Sequence, residues 1–398
     1  MTAVRLGLRE NAAQFALLVA LNAVVGALVG LERSVLAPLA EHDFGVASKT
    51  AVLSFIVAFG AAKACANLVA GRWAQHGRKR VLLAGWALAL PAAPLIGIAP
   101  WWELVVVANV FLGASQGLAW SMTVLMKIDL TGPQRRGFAL GLNESAGYVG
   151  VALTAAATGW LAGSLGPRTA VWMGVAVLAP SGLALTALFV RETLPHARFE
   201  AGAVPAVDGG GLPLIAQAGF VSNLNDAVAW GLVPLYMTAH GASEREVGVA
   251  AGIYPAVWGC SQLGAGALSD RVGRKPLVVC GMLVQAAAFG LLIAGRGNVP
   301  SAVAAAVVLG IGTALAYPTL LAAVSDTFSP LTRARATGIY RFWRDLGLVG
   351  GALLAGIGAD VFGSGVVLAA VAVITAVSGL VFVRFERVPK PLYEGGIS

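Results

Sequence analysis

Apolar runs of about twenty residues, cut by short clusters of charge, glycine and proline, follow one another along almost the whole chain. Crossing a hydrocarbon layer about 30 Å thick takes roughly 20 residues of helix, so runs of this length predict membrane-spanning helices. Cutting at the interruptions yields twelve segments, at 14–37, 48–70, 80–99, 103–126, 137–163, 169–190, 213–238, 247–268, 276–295, 299–325, 335–358 and 363–383. The longest polar interruption runs from Arg191 to Gly211 and holds Pro195, Pro205 and the triplet Gly209-Gly210-Gly211. It divides the segments six and six. The expected organisation is an N-terminal six-helix half (1–190), a cytoplasmic linker (191–212) and a C-terminal six-helix half (213–398). The first apolar run follows Arg5 and Arg9 and ends at Glu32-Arg33 without a small-residue cleavage site, so it is read as the first span. The fold class expected is an all-α membrane protein with twelve transmembrane helices.

Composition narrows the function classes. Of 398 residues, 58% are hydrophobic and 12% charged, too apolar for an ordinary soluble enzyme. A formal charge of +8 would suit nucleic acid if the basic residues shared one soluble face. They punctuate apolar runs instead, so no nucleic-acid partner is expected. With both termini placed in the cytoplasm, only Lys49, Arg168, Arg245 and Arg296 fall in outer loops, and Arg33, Lys63, Arg341 and Arg344 fall inside segments. The other basic residues, Lys127 among them, gather in inner loops and tails, as retention of positive charge on the cytoplasmic side requires. Cys65, Cys260 and Cys280 lie in apolar stretches without a CxxC spacing and read as small packing residues. His42, His76, His196 and His240 show no ligand spacing, and there is no phosphate-binding loop. No metal, cofactor or enzymatic centre is expected.

An internal repeat is visible at a separation of about 195 to 200 residues. The stretch Asp129-Leu-Thr-Gly-Pro133-Gln-Arg135 corresponds to Asp326-Thr-Phe-Ser-Pro330-Leu-Thr-Arg333. The loop from Gly71 to Lys79 corresponds to the loop from Gly266 to Lys275. Both halves therefore run in the same direction, one known way to build a transporter with its site between them. The second loop, Gly266-x-x-x-Asp270-Arg271-x-Gly273-Arg274-Lys275, resembles in full the signature loop of the major facilitator superfamily. That resemblance extends over essentially the whole chain. In the first copy Gln75 stands where the Asp is expected, and Gly77 comes one residue early.

The resemblance implies two parallel-related six-helix halves, alternating access between them, and signature loops that clasp neighbouring cytoplasmic helix ends. Asp270 would clasp the start of segment 11 near Arg335, whereas Gln75 cannot supply the corresponding charge. Asn109, four residues before Gly113, stands where many members of the family carry an arginine linked to proton coupling. Segment 5 lacks the Gly-Pro pair of the family's drug/proton antiporters.

Eight ionisable residues fall within segments: Glu32, Arg33, Lys63, Glu144, Asp226, Arg341, Arg344 and Asp345. At about 3 kcal/mol each near mid-membrane, roughly 24 kcal/mol would be lost if all faced lipid. A marginally stable protein could not tolerate that, so they must face protein or a watery cavity. Arg341, Arg344 and Asp345 sit at i, i+3 and i+4, flanked by Tyr340 and Trp343. They form either a binding face for an anionic or zwitterionic solute, since arginine offers paired planar donors, or a packing contact neutralised by Asp345 and Glu144. Lys63, central in segment 2, would pair with segment 11 or touch substrate.

Glu144, beside Asn143 and one turn from Tyr148, is the first candidate for a coupling proton, because a partly desolvated carboxylate titrates nearer neutral pH. Asp226, with Asn223, Asn225 and Trp230, is the second, and Glu32 the third. Arg33 and Asp345 are expected as ion-pair partners. Gln116, Trp120 and Tyr317 could line a cavity, as the family's helices 1, 4, 7 and 10 do. The expectation is a monomeric secondary transporter of the cytoplasmic membrane. It would move a small organic anion or amphoteric metabolite with the proton gradient. The alternative is proton-driven efflux of amphipathic or drug-like compounds; a non-transporting receptor on the same fold is less favoured.

Overall fold

The structure, a computed structural model, describes residues 6–33, 35–36, 39–40, 43–46, 48–131, 136–203, 210–242, 244–329 and 332–385. Pro133, Arg135 and Pro330 of the repeat, Pro205 and Gly209 of the linker, and Arg5 and His42 lie outside them. The described residues contain no strand. Their long helices are α1 (Ala12–Arg33), α2 (Ser54–Trp73), α3 (Arg78–Ala89), α4 (Trp102–Thr131), α5 (Arg136–Leu165) and α6 (Pro167–Phe189). The second half repeats the order with α7 (Leu212–Ala239), α8 (Glu244–Val272), α9 (Arg274–Ala294), α10 (Val299–Thr327), α11 (Arg333–Phe362) and α12 (Ser364–Phe382). Among the described residues ten helices are long and apolar enough to cross a membrane; α7 and α8, which carry Asn223, Asn225, Asp226 and Gln262, are the more polar pair.

Several boundaries depart from the apolar runs for physical reasons. α3 breaks at Leu90-Pro91 and continues as a short helix, Ala92–Ile98, because proline has no N–H to offer the preceding turn. α4 runs on to Thr131, so Lys127, expected in an inner loop, is a fully buried helical residue. The linker holds a helix of its own, Leu194–Ala203. α3 and α9 both begin on a glycine with positive φ, Gly77 at 140° and Gly273 at 97°. That region is open to glycine at little cost and explains the repeated residue.

Within each half the helices pack in corresponding pairs, α2 on α4 and α8 on α10, α1 on α5 and α7 on α11. The halves meet along two seams, α2 against α11 and α5 against α8. At the end of the first seam nearest Gly71 the backbones touch: a Cβ on Gly338 would lie 2.7 Å from the Asn67 carbonyl oxygen, and one on Gly71 2.9 Å from that of Ala334. At the second, a Cβ on Gly141 would meet the Gln262 carbonyl oxygen at 2.7 Å. The opposite end of the first seam is joined by Thr50 Oγ1, which donates to Asp360 Oδ2 at 3.2 Å. Large apolar side chains such as Trp160, Leu188 and Ile98 are more than two-thirds exposed, as a lipid-facing perimeter requires. Cys65, Cys260 and Cys280 belong to that perimeter: all three are exposed, not packed inside as their apolar context suggested.

Candidate functional site

The ionisable residues of the spans converge between the halves in two layers. The lower layer joins α11 to α2 and α5. Asp345 is its hub: Arg344 Nη1 lies 2.6 Å and Lys63 Nζ 3.5 Å from its Oδ1. Asn67 donates to Oδ2 at 2.7 Å and Asn223 to Oδ1 at 3.3 Å. Glu144 is the second anion. It accepts from Trp120 Nε1 at 2.9 Å and Asn143 Nδ2 at 2.7 Å, with Arg341 Nη2 at 3.6 Å. Arg341 also donates to the Tyr317 hydroxyl at 2.9 Å, and the Arg344 guanidinium lies 4.0 Å above the Tyr317 ring. No member is more than 8% exposed, Lys63 being the highest, so the layer is closed to both faces. Three cations of this layer thus face two carboxylates, all of them buried.

The upper layer is smaller. Arg33 of α1 reaches across to Asp226 of α7 at 3.1 Å and stacks 4.6 Å from the Trp230 ring. Glu32, its neighbour in sequence, points elsewhere. It is 2% exposed and accepts from Asn109 Nδ2 at 3.3 Å, and no basic side chain among the described residues lies within ion-pair distance of it.

The cluster brings together Lys63, Arg341, Arg344, Asp345, Glu144, Trp120, Tyr317 and Asn223, with Arg33, Asp226 and Trp230 above them. It does not include every residue expected there. Trp343 is 49% exposed and turned outward against Phe342, because its place on α11 is opposite the arginines. Gln116 is buried within the N-terminal half, in a small apolar recess with Phe59, Leu28 and Leu112, and its Oε1 has no partner.

Other members were not anticipated. Asn67 lies one turn from Lys63 on the same face of α2, a spacing that could have exposed it. Lys127 donates to Asn143 Oδ1 and so approaches Glu144 from the inner side. Trp258 of α8 stacks on Tyr148, with ring centroids 3.6 Å apart.

The signature loops lie at two corners of the bundle, one in each half. Arg274 Nη1 pairs with Asp270 at 2.8 Å and its Nε with Asp326 at 3.0 Å. Asp270 therefore does not clasp α11 as expected; Gly71 of the first loop lies against Arg335, and Gly266 of the second sits by Gly141 of α5. Arg271 is exposed beside this corner. In the first copy Arg78 Nε pairs with Asp129 at 3.1 Å. Thr193 Oγ1 adds a hydrogen bond to Asp129 at 2.9 Å. Nearby in the linker helix, burial pushes the His196 imidazole below its usual pKa.

Comparison with known proteins places these features. The family model described as Major Facilitator Superfamily matches residues 18–213 and 215–396. The inner membrane transport protein YajR of Escherichia coli (strain K12) is 51% identical over 51 residues, 13% of this chain and 11% of that protein. The uncharacterized MFS-type transporter YddS of Bacillus subtilis (strain 168) is 28% identical over 151 residues, 37% of this chain and 35% of its own. The multidrug resistance protein MdtL of Shewanella oneidensis is 32% identical over 103 residues, 26% of each chain. The matches thus span at most 35% of these relatives' lengths.

Among solved structures, the human organic anion transporter MFSD10 superposes with a TM-score of 0.74 at 18% identity, covering 93% of this chain and 99% of that one. The proton:xylose symporter XylE gives 0.75 at 15% identity, covering 93% and 95%. These likenesses show the fold.

Proposed function

Because the chain belongs to the major facilitator superfamily and is a multi-pass membrane transporter, we propose that it carries a small organic anion or amphoteric metabolite across the cytoplasmic membrane, coupled to protons. The observation that carries this reading is the excess of positive charge in the closed lower layer. Lys63, Arg341 and Arg344 outnumber Glu144 and Asp345 where water cannot screen them. An unneutralised buried cation is costly, and an anionic solute offsets that cost where a neutral one would not. Arg341 Nε is buried without a hydrogen-bond partner, which leaves a planar donor free for a carboxylate or phosphate oxygen.

For coupling, the surroundings of the three candidate acids favour Glu32 over Glu144. Glu144 has two neutral donors and Arg341, and Asp226 has Arg33. Glu32 has a single amide donor and, among the described residues, no basic side chain within ion-pair distance. A proton taken up there would be released when that side of the bundle opens to water. Export of amphipathic, drug-like compounds is the second reading, favoured by the likeness to MdtL and by the aromatic side chains around the arginines.

A binding and uptake experiment separates these readings. With the purified protein, Arg344→Gln should weaken binding of an organic anion by about 1.5–3 kcal/mol, roughly 10- to 150-fold in Kd. Unchanged affinity in a normally folded variant rejects the anion reading. In liposomes, Glu32→Gln should still exchange substrate but lose accumulation driven by a pH gradient. Retained accumulation returns the coupling role to Glu144 or Asp226.

A further inference from the structure

α8 contributes to the centre of the molecule through one face. Tyr254, Trp258 and Gln262 recur at i, i+4 and i+8 and so line up toward α5 and α10. Trp258 is wholly buried. Its ring packs, tilted by 32°, against Tyr148 of the opposite half at 3.6 Å between centroids, and lies 5.9 Å from the ring of Tyr317. The same two phenols hold Arg344, whose guanidinium is 4.0 Å from the Tyr317 ring and whose Nη2 is 3.5 Å from the Tyr148 hydroxyl. The indole and the guanidinium thus bracket one pair of rings. A carboxylate at the arginine and a flat group at the indole would therefore have the same two phenols as neighbours.

Polar atoms on this face are left unmet. Trp258 Nε1 and both amide atoms of Gln262 are buried without any hydrogen-bond partner, while Tyr254 on the same face shares a hydrogen bond with Thr313. Buried polar side chains are nearly always paired, and an amide with donor and acceptor both unmet implies a partner that arrives with the ligand. Resting on the anion reading above, we infer that the central site takes a planar aryl or heteroaryl carboxylate, its ring exchanging for one face of the Tyr148–Trp258 stack and its polar ring substituent bonded by Gln262. A flat ring recovers the stacking geometry that the two side chains give up when separated; a puckered ring of similar volume does not.

The test uses the full-length protein in detergent and three probes: benzoate, 4-hydroxybenzoate and cyclohexanecarboxylate, titrated by calorimetry. Benzoate should bind about five- to tenfold more tightly than cyclohexanecarboxylate, and 4-hydroxybenzoate about fivefold more tightly than benzoate. Trp258→Leu should erase the first preference, Trp258→Phe should keep most of it, and Gln262→Leu should erase the second alone. Equal affinity of the wild-type protein for benzoate and cyclohexanecarboxylate, with both weakened by Arg344→Gln, overturns the ring assignment and leaves the anion reading intact. Absence of binding by all three carboxylates overturns both. The wild-type comparison stands even if Trp258→Leu does not fold.

Discussion

The two signature-loop corners of the molecule carry copies of one repeated loop and solve the same electrostatic problem with different residues. At the α8–α9 corner, Arg274 is held by two acids, Asp326 from α10 and Asp270 from the loop itself. At the α2–α3 corner, Arg78 has the corresponding Asp129, but Gln75 replaces the loop acid. The missing carboxylate comes from the linker. Glu192 accepts from the backbone N–H groups of Arg78 and Lys79 at the start of α3, at 2.9 and 3.1 Å. It also accepts from those of Thr193 and Leu194 at the start of the linker helix, at 2.9 and 3.0 Å. One carboxylate therefore caps two helix N-termini, where unsatisfied donors and the helix dipole both favour negative charge. The comparison teaches that charge at the corner is retained while its position in the chain is not, and that a degenerate motif need not mean a weaker corner.

The comparison can be broken first at its shared element. Arg78→Ala and Arg274→Ala should each destabilise the protein by about 3–5 kcal/mol, since each removes the cation paired with a buried aspartate; thermal unfolding in detergent measures this, and a loss below 1 kcal/mol in either would mean that the pair is dispensable. Next in size, Glu192→Gln should cost about 1 kcal/mol at the first corner by removing charge from two helix starts. Hydrogen exchange would show the loss in the opening turns of α3 and of the linker helix together; protection lost in one alone would separate their caps. Asp270→Asn should have the smallest effect, about 0.5 kcal/mol or less, because its side chain is 28% exposed and Arg274 keeps Asp326.

The architecture could be read from the chain because lipid allows few solutions: long apolar runs, their charge asymmetry and the repeat lead to the same arrangement. Ends of helices were harder. Lys127 and Asp129 look like loop residues by polarity, yet both lie inside α4, since a buried partner counts for more than the residue's own hydropathy. In the candidate site, the ionisable residues identified themselves by the cost of burying them. Their pairings did not: Glu144 meets Arg341 while Arg344 turns to its neighbour Asp345, a choice made by rotamers and helix rotation. Trp258 and Gln262 passed unnoticed because an uncharged side chain in an apolar helix gives no signal of its own; only their lack of hydrogen-bond partners, visible in three dimensions, sets them apart.

The three outward-facing thiols offer a view of motion. Cys65 lies on α2 and Cys260 on α8, one in each half, and both are exposed. A small uncharged thiol reagent carrying a spin label or fluorophore would therefore mark both halves of the natural protein without an engineered cysteine. Rocking of one half against the other would appear directly as a change in the separation of two native probes, with Cys280, in the same half as Cys260, as the internal ruler that should not change.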